Sequence, residues 1–309
     1  MSKWYVTRIY IYIKSENCIS IEAQNALKET LEAGRGAKNV AEKHEAKNTV
    51  VEQAAKTIVV EPVDKSVLET IVSGEINKNG ILVITDDAGS ARFMAGAGIP
   101  TLGVLHADNK NDSFLGVDYL AEGLEGVDAE FCEQIYRRAH KIPWDIVETK
   151  RCLVRETVVQ DVDSFYDLYS NPAITEYMEP LFEDRDEEYA YIESYQKSMY
   201  GFCGYGIWTV TDKTTGQVIG RAGFDLHEGH ELPELGFMIG VPWQRKGLAT
   251  EVCEAILKYG EEILGFYLVD AFAEVGNTGS EHFLEKLGFT AKGPWEEKGK
   301  CYTWYQKSF

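Results

Sequence analysis

At 309 residues the chain is long for one domain and sufficient for two of about 150 residues each. Its 44% hydrophobic and 26% charged content is that of a globular chain rather than a disordered one. A net charge of −19 argues against a nucleic-acid partner, which needs clustered Lys and Arg, and no apolar run approaches the ~20 residues of a membrane span.

The N-terminus, interrupted by Lys3, Arg8 and Lys14, lacks the apolar core of a signal peptide, and Tyr5, Ile9, Ile11 and Ile13 alternate as in a strand. Residues 22–57 are rich in Ala, Glu, Lys and Asn and read as helical, broken at Gly34 and Gly36. Next come a strand at Thr57–Val60, a helix at Asp64–Ser73, a strand at Gly80–Thr85, a helix at Gly89–Ala97 and a strand at Ile99–Leu105. That alternation predicts a parallel α/β sheet. A closing helix is expected at Phe131–Arg138, and His140–Lys150, with Pro143, is the linker candidate.

Beyond Arg151 the rhythm changes to a strand (Cys152–Glu156), helices at Asp161–Tyr169 and Glu187–Tyr200, and three strands (Ile207–Asp212, Val218–Asp225, Glu234–Gly240). A helix from Leu248, a strand near Leu268–Ala273, a helix from Asn277 and two closing strands follow. This is α+β order with a mostly antiparallel sheet. The six cysteines, Cys18, Cys132, Cys152, Cys203, Cys253 and Cys301, form no CxxC pair and have no histidine at ligand spacing. They predict reduced thiols in a cytoplasmic protein with no metal site.

Between the strand ending at Gly240 and the helix from Leu248 lies Gln244-Arg245-Lys246-Gly247-Leu248-Ala249, followed by Thr250. A loop entering a helix start leaves backbone N–H groups pointing outward, where the helix dipole favours an anion. Gly247 and Ala249 are small enough for close approach of phosphates, and Arg245 and Lys246 add positive charge. Val252, Ile256, Tyr259 and Ile263 form the stripe on which that helix is expected to pack.

This strand–loop–helix resembles the coenzyme A-binding core of the GCN5-related N-acetyltransferases (GNAT), whose loop reads Gln/Arg-x-x-Gly-x-Gly/Ala. The segment from Asn277 through Ser280 and Leu284 to Gly288-Phe289, ending Lys-Leu-Gly-Phe, is similar to that family's second signature, closest to its ribosomal-protein-acetylating branch. The resemblance implies an α+β acyl-CoA N-acyltransferase domain over 150–309 with acetyl-coenzyme A as co-substrate. By the same resemblance Phe237, Met238 and Ile239 pair through their backbone with the pantetheine arm. Gln244, Arg245, Lys246, Gly247, Leu248, Ala249 and Thr250 hold the pyrophosphate, and Asn277 and Ser280 lie near the thioester. Leu284 stands where many members carry a tyrosine acid, which leaves Ser280 or a water to supply a proton.

The reaction also needs a base, since an amine of pKa ~10 attacks only when deprotonated. Glu234 is the first candidate, ahead of Glu231, His227 and His230; an ordinary exposed carboxylate is the alternative. Residues 1–148 carry 16 basic and 23 acidic side chains, net −7, and residues 149–309 carry 15 and 27, net −12. With the acidic run Glu176–Glu193, this favours a cationic primary amine, a small molecule or a peptide N-terminus, as acceptor; a solvated helix face is the other reading of the run. Tyr177, Met178, Tyr200, Phe202 and Tyr205 are either core or an aromatic lining for that acceptor. The rival to an enzyme is a non-catalytic acetyl-coenzyme A sensor, and a homodimer stays open.

In the first half, Ile81–Leu105 with Asp86, Asp87 and Ala-Gly-Ile-Pro resembles the late part of haloacid dehalogenase-like hydrolases. No Asp-x-Asp site precedes Asp86, so the expectation over 1–145 is a non-catalytic α/β module in which Asp86 and Asp87 cap the next helix.

Overall fold

The computed structural model describes residues 5–14, 22–32, 59–226 and 231–309. The chain divides into two units, Met1–Ile142 and Pro143–Phe309.

The first unit is built on five parallel strands: β1 (Arg8–Tyr12), β2 (Val59–Pro62), β3 (Ile81–Thr85), β4 (Thr101–Leu105) and β5 (Tyr119–Glu122). Their spatial order is β2-β1-β3-β4-β5. Alternation along the strands feeds two cores. Ile9, Ile11, Leu82 and Ile84 pack with Leu27 and Leu31 of α1 (22–32) and Cys132 and Ile135 of α4 (Ala129–Ala139). Tyr10, Ile81 and Val83 pack with Leu68 and Ile71 of α2 (Lys65–Ser73) and Met94 of α3 (Ala88–Gly96). Helices therefore cover both faces, and the expected parallel sheet is present. The helix expected over 22–57 is described only for 22–32.

Of the two acidic residues after β3, only Asp87 caps α3, through the Ser90 N–H. Asp86 is not a cap as expected. It is buried, accepts the Lys14 N–H at 2.6 Å, and stands 3.2 Å from His106 Nε2.

The second unit holds eight strands in the order β12-β13-β11-β10-β9-β8-β7-β6. These are β6 (Asp145–Glu148), β7 (Cys152–Arg155), β8 (Ile207–Asp212), β9 (Val218–Leu226), β10 (Pro233–Ile239), β11 (Leu268–Glu274), β12 (Thr290–Glu297) and β13 (Lys300–Ser308). Every neighbouring pair is antiparallel except β10–β11. The linker is shorter than His140–Lys150, because Asp145–Glu148 is an edge strand paired with β7. Pro143 gave a break signal, but Trp144 is buried, and Ile146 and Val147 pack on the second unit's core.

One face of this sheet carries α8 (Leu248–Glu262) and α9 (Thr278–Lys286). Trp208 is fully buried and meets Phe224 and Tyr259 edge-on, at 6.0 and 5.8 Å between centroids. Each such ring pair contributes about 0.5–1.5 kcal/mol beyond burial. The expected α8 stripe holds at Val252 and Ile256 and partly at Tyr259, but Ile263 lies beyond the last helical residue and is 66% exposed.

The opposite face carries α5 (Val162–Tyr169), the single turn α6 (Pro172–Thr175) and α7 (Arg185–Tyr195). The helix expected to run to Tyr200 instead widens at Gln196–Cys203 into a π-helix, closed by Gly204 at φ 78°. Asp161 locks this face to the sheet. It takes both Arg155 guanidinium nitrogens (2.6 and 2.7 Å), the Val158 N–H and the Thr209 hydroxyl, so the buried charge is fully satisfied.

Candidate active site

The site begins with a parting of two strands. β10 pairs with β9 at seven consecutive positions, from Pro233↔Leu226 to Ile239↔Gly220. It pairs with β11 at Glu234↔Asp270 alone. Past that position one edge of Leu235–Ile239 has no strand neighbour among the described residues. An extended ligand with amide groups can complete such an edge as an added strand would. The side chains of Met238 and Ile239 are buried, so what these residues offer is main chain.

Where β10 ends, the chain turns through a 3₁₀ turn at Val241–Trp243, and Gln244 Nε2 donates to the Ile239 carbonyl at 2.8 Å. Arg245 and Gly247 both have positive φ, 59° and 76°. Gly247 is the N-cap of α8 and offers no side chain to it. The first-turn N–H groups of a 15-residue helix therefore face outward without a capping group, which suits a phosphate. Gln244, Arg245 and Lys246 are exposed and able to meet it, whereas the Leu248 side chain is buried in the core and anchors the helix, so that Leu248 offers main chain alone. Ala249 and Thr250 are half-buried on the first turn, and Lys286 Nζ donates to Thr250 Oγ1 at 3.3 Å.

Sequence reasoning missed Arg151. Its Nη1 donates to the Lys246 carbonyl (2.9 Å) and its Nε to Glu251 Oε2 (2.7 Å). Its Nη2 lies 3.6 Å from where a Cβ on Gly247 would stand. Glu251 also receives the Arg151 N–H and the Thr149 hydroxyl, both at 2.7 Å. Partial burial pushes the Glu251 carboxyl up, but the hydrogen bonds from Thr149 and Arg151 outweigh it and hold it below the usual range. The one available signal was an acidic residue in the first turn of α8, which normally serves the helix itself.

On the far side of the gap, Asn277 caps α9 by accepting the Ser280 N–H at 3.2 Å, and Phe283 packs on Phe237 in a tilted ring pair with centroids 4.6 Å apart. Ser280 is half-buried on the first turn, and Leu284 belongs to the core. Glu234 is half-buried, with Asp225 opposite it on β9 and Asp270 on β11. Three carboxylates thus stand in register across three strands. Asp270 is fully buried and accepts from Gln306 Nε2 at 3.1 Å. Glu231 is exposed in the turn before β10, and His227 and His230 lie outside the described residues.

The aromatic set divides. Tyr200 is buried, accepting the Thr157 N–H and donating to the Ile207 carbonyl, and Tyr205 meets Phe266 edge-on. Phe202 is 91% exposed. Met178 packs against the cluster of Leu168, Ile174 and Met238, and the half-buried Tyr177 donates its hydroxyl to the Gly276 carbonyl at 3.4 Å. Much of the acidic run serves local structure: Asp184 caps α7, and Glu188 is buried and accepts the Phe182 N–H. Among the described residues no group of three or more His, Cys, Asp or Glu could hold a metal ion, and no helix is long and apolar enough to cross a membrane.

Residues 151–290 match the family model described as "Acetyltransferase (GNAT) domain". The chain is 29% identical over 155 residues to the uncharacterized N-acetyltransferase YoaA of Bacillus subtilis (strain 168), covering 48% of this chain and 84% of that one. It is 28% identical over 148 residues to the uncharacterized N-acetyltransferase p20 of Bacillus licheniformis, covering 47% and 82%. Among solved structures it is similar to the microcin C7 self-immunity acetyltransferase MccE in complex with acetyl-CoA and AMP. That match has 16% identity and a TM-score of 0.45, over 52% of this chain and 93% of that one. The stretch 151–290 is a GNAT acetyltransferase domain, and the protein is an acyltransferase.

Proposed function

We propose that the second unit transfers an acetyl group from acetyl-coenzyme A to a primary amine by direct attack. The observation carrying this reading is the conjunction on one strand of an open main-chain edge, Leu235–Ile239, with an uncapped helix N-terminus immediately after it. The two fit the two halves of coenzyme A. Gln244–Thr250 would hold the pyrophosphate and Phe237–Ile239 the amide-bearing arm, with Asn277 and Ser280 beyond the gap. Acetyl-coenzyme A supplies an activated acyl group; the chain supplies orientation, a base and backbone donors for the oxyanion. Glu234 is the base, because it lies at the closed end of the gap and stands between two other carboxylates. Asp225, Glu234 and Asp270 together set negative charge at that end of the gap. The same charge, with the net −12 of residues 149–309, makes a cationic amine the preferred acceptor.

The first unit is proposed as a non-catalytic module. Asp86 and Asp87, the pair matching a hydrolase acidic pair, are engaged by the Lys14 backbone N–H and side chain and by the start of α3. The test is thiol release from acetyl-coenzyme A with a panel of amines, polyamines, aminoglycosides and peptide N-termini. Binding of coenzyme A with no thiol released for any acceptor would instead mark a sensor.

A further inference from the structure

Beside the candidate base, three strands carry a run of aromatic rings on one face. Val269, Ala271, Ala273 and Tyr305 are buried in the core that holds α8 and α9. The register therefore turns Phe272 and Glu274 of β11, with their partners Trp304 and Tyr302 of β13, to the opposite face. β12 adds Trp295, the partner of Tyr302, and the Trp295 ring meets Phe272 with centroids 5.9 Å apart. Phe165, Leu168 and Ile192 of α5 and α7 pack in clusters that include no described residue of β11, β12 or β13. Phe272, Trp295, Tyr302 and Trp304 are each half-buried, so they form a partly open aromatic floor.

The floor is continuous with the base at one end. Asp225, Glu234, Asp270 and Gln306 are successive cross-strand partners and share this face as one polar row. Phe272 and Trp304 stand two residues further on, about 7 Å away, and Glu274 and Tyr302 two residues beyond them. The other end is closed and acidic. The Tyr177 hydroxyl donates to the Gly276 carbonyl there, and Glu179 lies 3.8 Å from Lys298 of the β12–β13 turn. Lys298 also serves Glu297 at 3.9 Å, while Lys300 serves Glu274 at 2.8 Å. With Glu176 beside Tyr177, four carboxylates meet two ammonium groups, a net −2. That field reaches the floor. Burial raises the Tyr302 phenol above the ordinary tyrosine value, and Glu274, Glu297 and Glu179 add to the rise against Lys300.

We propose, resting on the acetyl transfer argued above, that this floor binds the body of the acceptor and that the acceptor is a linear diamine or polyamine. The reacting nitrogen lies at the Glu234 row and the methylenes run over Phe272 and Trp304. A second ammonium lies over Trp295 and Tyr302, towards the carboxylates of the far end. An aromatic face attracts an alkylammonium through its quadrupole, Trp most strongly, and its apolar body covers methylenes as well. An acceptor carrying a carboxylate meets negative charge at both ends, and a plain alkylamine leaves the far charge unanswered. From the Glu234 row to the Glu274 row is about 13 Å. The second nitrogen gains its contact only on a chain long enough to cross the Phe272–Trp304 row.

The experiment uses the full chain, acetyl-coenzyme A and acceptors matched in length: the α,ω-diamine, the amino alcohol, the ω-amino acid and the monoamine, each over a series of chain lengths. Thiol release is expected to give the diamine the highest kcat/KM. Its margin over the monoamine should emerge with length and reach about tenfold, the scale of one partly desolvated cation–π contact. Trp295→Leu is expected to remove most of that margin through KM, and Trp295→Phe, which keeps a ring, to retain part of it. A monoamine as good as the diamine at every length overturns the proposal, as does a preference for the amino acid. A Trp295→Leu loss shared equally by diamine and monoamine overturns it too, since that marks the ring as structural. A parent enzyme that acetylates diamines and monoamines alike sinks this proposal alone. Failure to release thiol from any acceptor sinks the acetyl-transfer reading and this proposal with it.

Discussion

Glu234 and Asp270 are the single cross-strand partners joining β10 to β11, and the strands part immediately beyond them. The base candidate therefore sits at the vertex of the gap that the co-substrate is proposed to fill. Glu234→Gln is expected to lower turnover about a hundredfold or more at neutral pH, the usual contribution of a positioned base. The deficit should narrow as pH rises towards the amine's own pKa of ~10, because the acceptor then arrives deprotonated. A loss of equal size at every pH would assign Glu234 to structure. A pH–rate profile of parent and variant checks it.

The anion site gives a binding prediction. Gly247 occupies φ 76° at the N-cap, and Gly247→Glu adds both backbone strain and a negative charge where phosphate would lie. Coenzyme A affinity should fall at least tenfold, about 1.4 kcal/mol. Calorimetry with a melting curve for each variant separates lost binding from lost fold, and unchanged affinity would remove the pyrophosphate assignment.

Arg151 and Glu251 give a pH prediction. Because the Glu251 carboxyl is held below its unfolded value, its contribution is present above the unfolded pKa of about 4.3 and is lost as pH falls through the folded one. Glu251→Gln should therefore lower the melting temperature at pH 7 and converge with the parent at strongly acidic pH. Coenzyme A binding should weaken in the variant, since Arg151 would lose the partner that aims it at the Lys246 carbonyl. Parallel melting curves across pH would contradict this.

Charge on the acceptor can be read from salt. If a cationic amine is drawn by the negative field of residues 149–309, raising ionic strength should raise its apparent KM while leaving kcat nearly constant. Preference for an anionic acceptor, or a KM indifferent to salt, would reverse the assignment.

The unit boundary predicts where the chain can be cut. A fragment of residues 143–309 retains β6 and should melt cooperatively and bind acetyl-coenzyme A. A fragment beginning at residue 149 removes that edge strand and with it Trp144, Ile146 and Val147, and should be less stable. Cofactor binding by 143–309 is the deciding readout. Its absence in a folded fragment would show that the first unit contributes to the site.

Sequence alone determined the parts of this protein that depend on local chemistry. Glycine and short loops next to periodic apolar runs marked β3, β10 and the start of α8 to within a residue or two. The Gln244–Thr250 loop was legible for the same reason, because its N–H geometry follows from the strand–turn–helix order and needs no distant partner. Tertiary structure decided what depends on partners far along the chain. Asp145–Glu148 is too short and too mixed to declare itself a strand, and becomes one only when β7 lies beside it. Arg151 reads as an ordinary surface cation until Glu251, 100 residues later, fixes its direction. Tyr177 and Tyr200 are the same residue type in one aromatic-rich stretch. Yet the π-helix turns Tyr200 into the core, while Tyr177, just past the end of α6, stays half-buried with its hydroxyl donating to the Gly276 carbonyl. The parting of β10 from β11 is likewise a relation between strands. No period in either sequence encodes it, since each strand is ordinary on its other side and only the missing ladder between them makes the site.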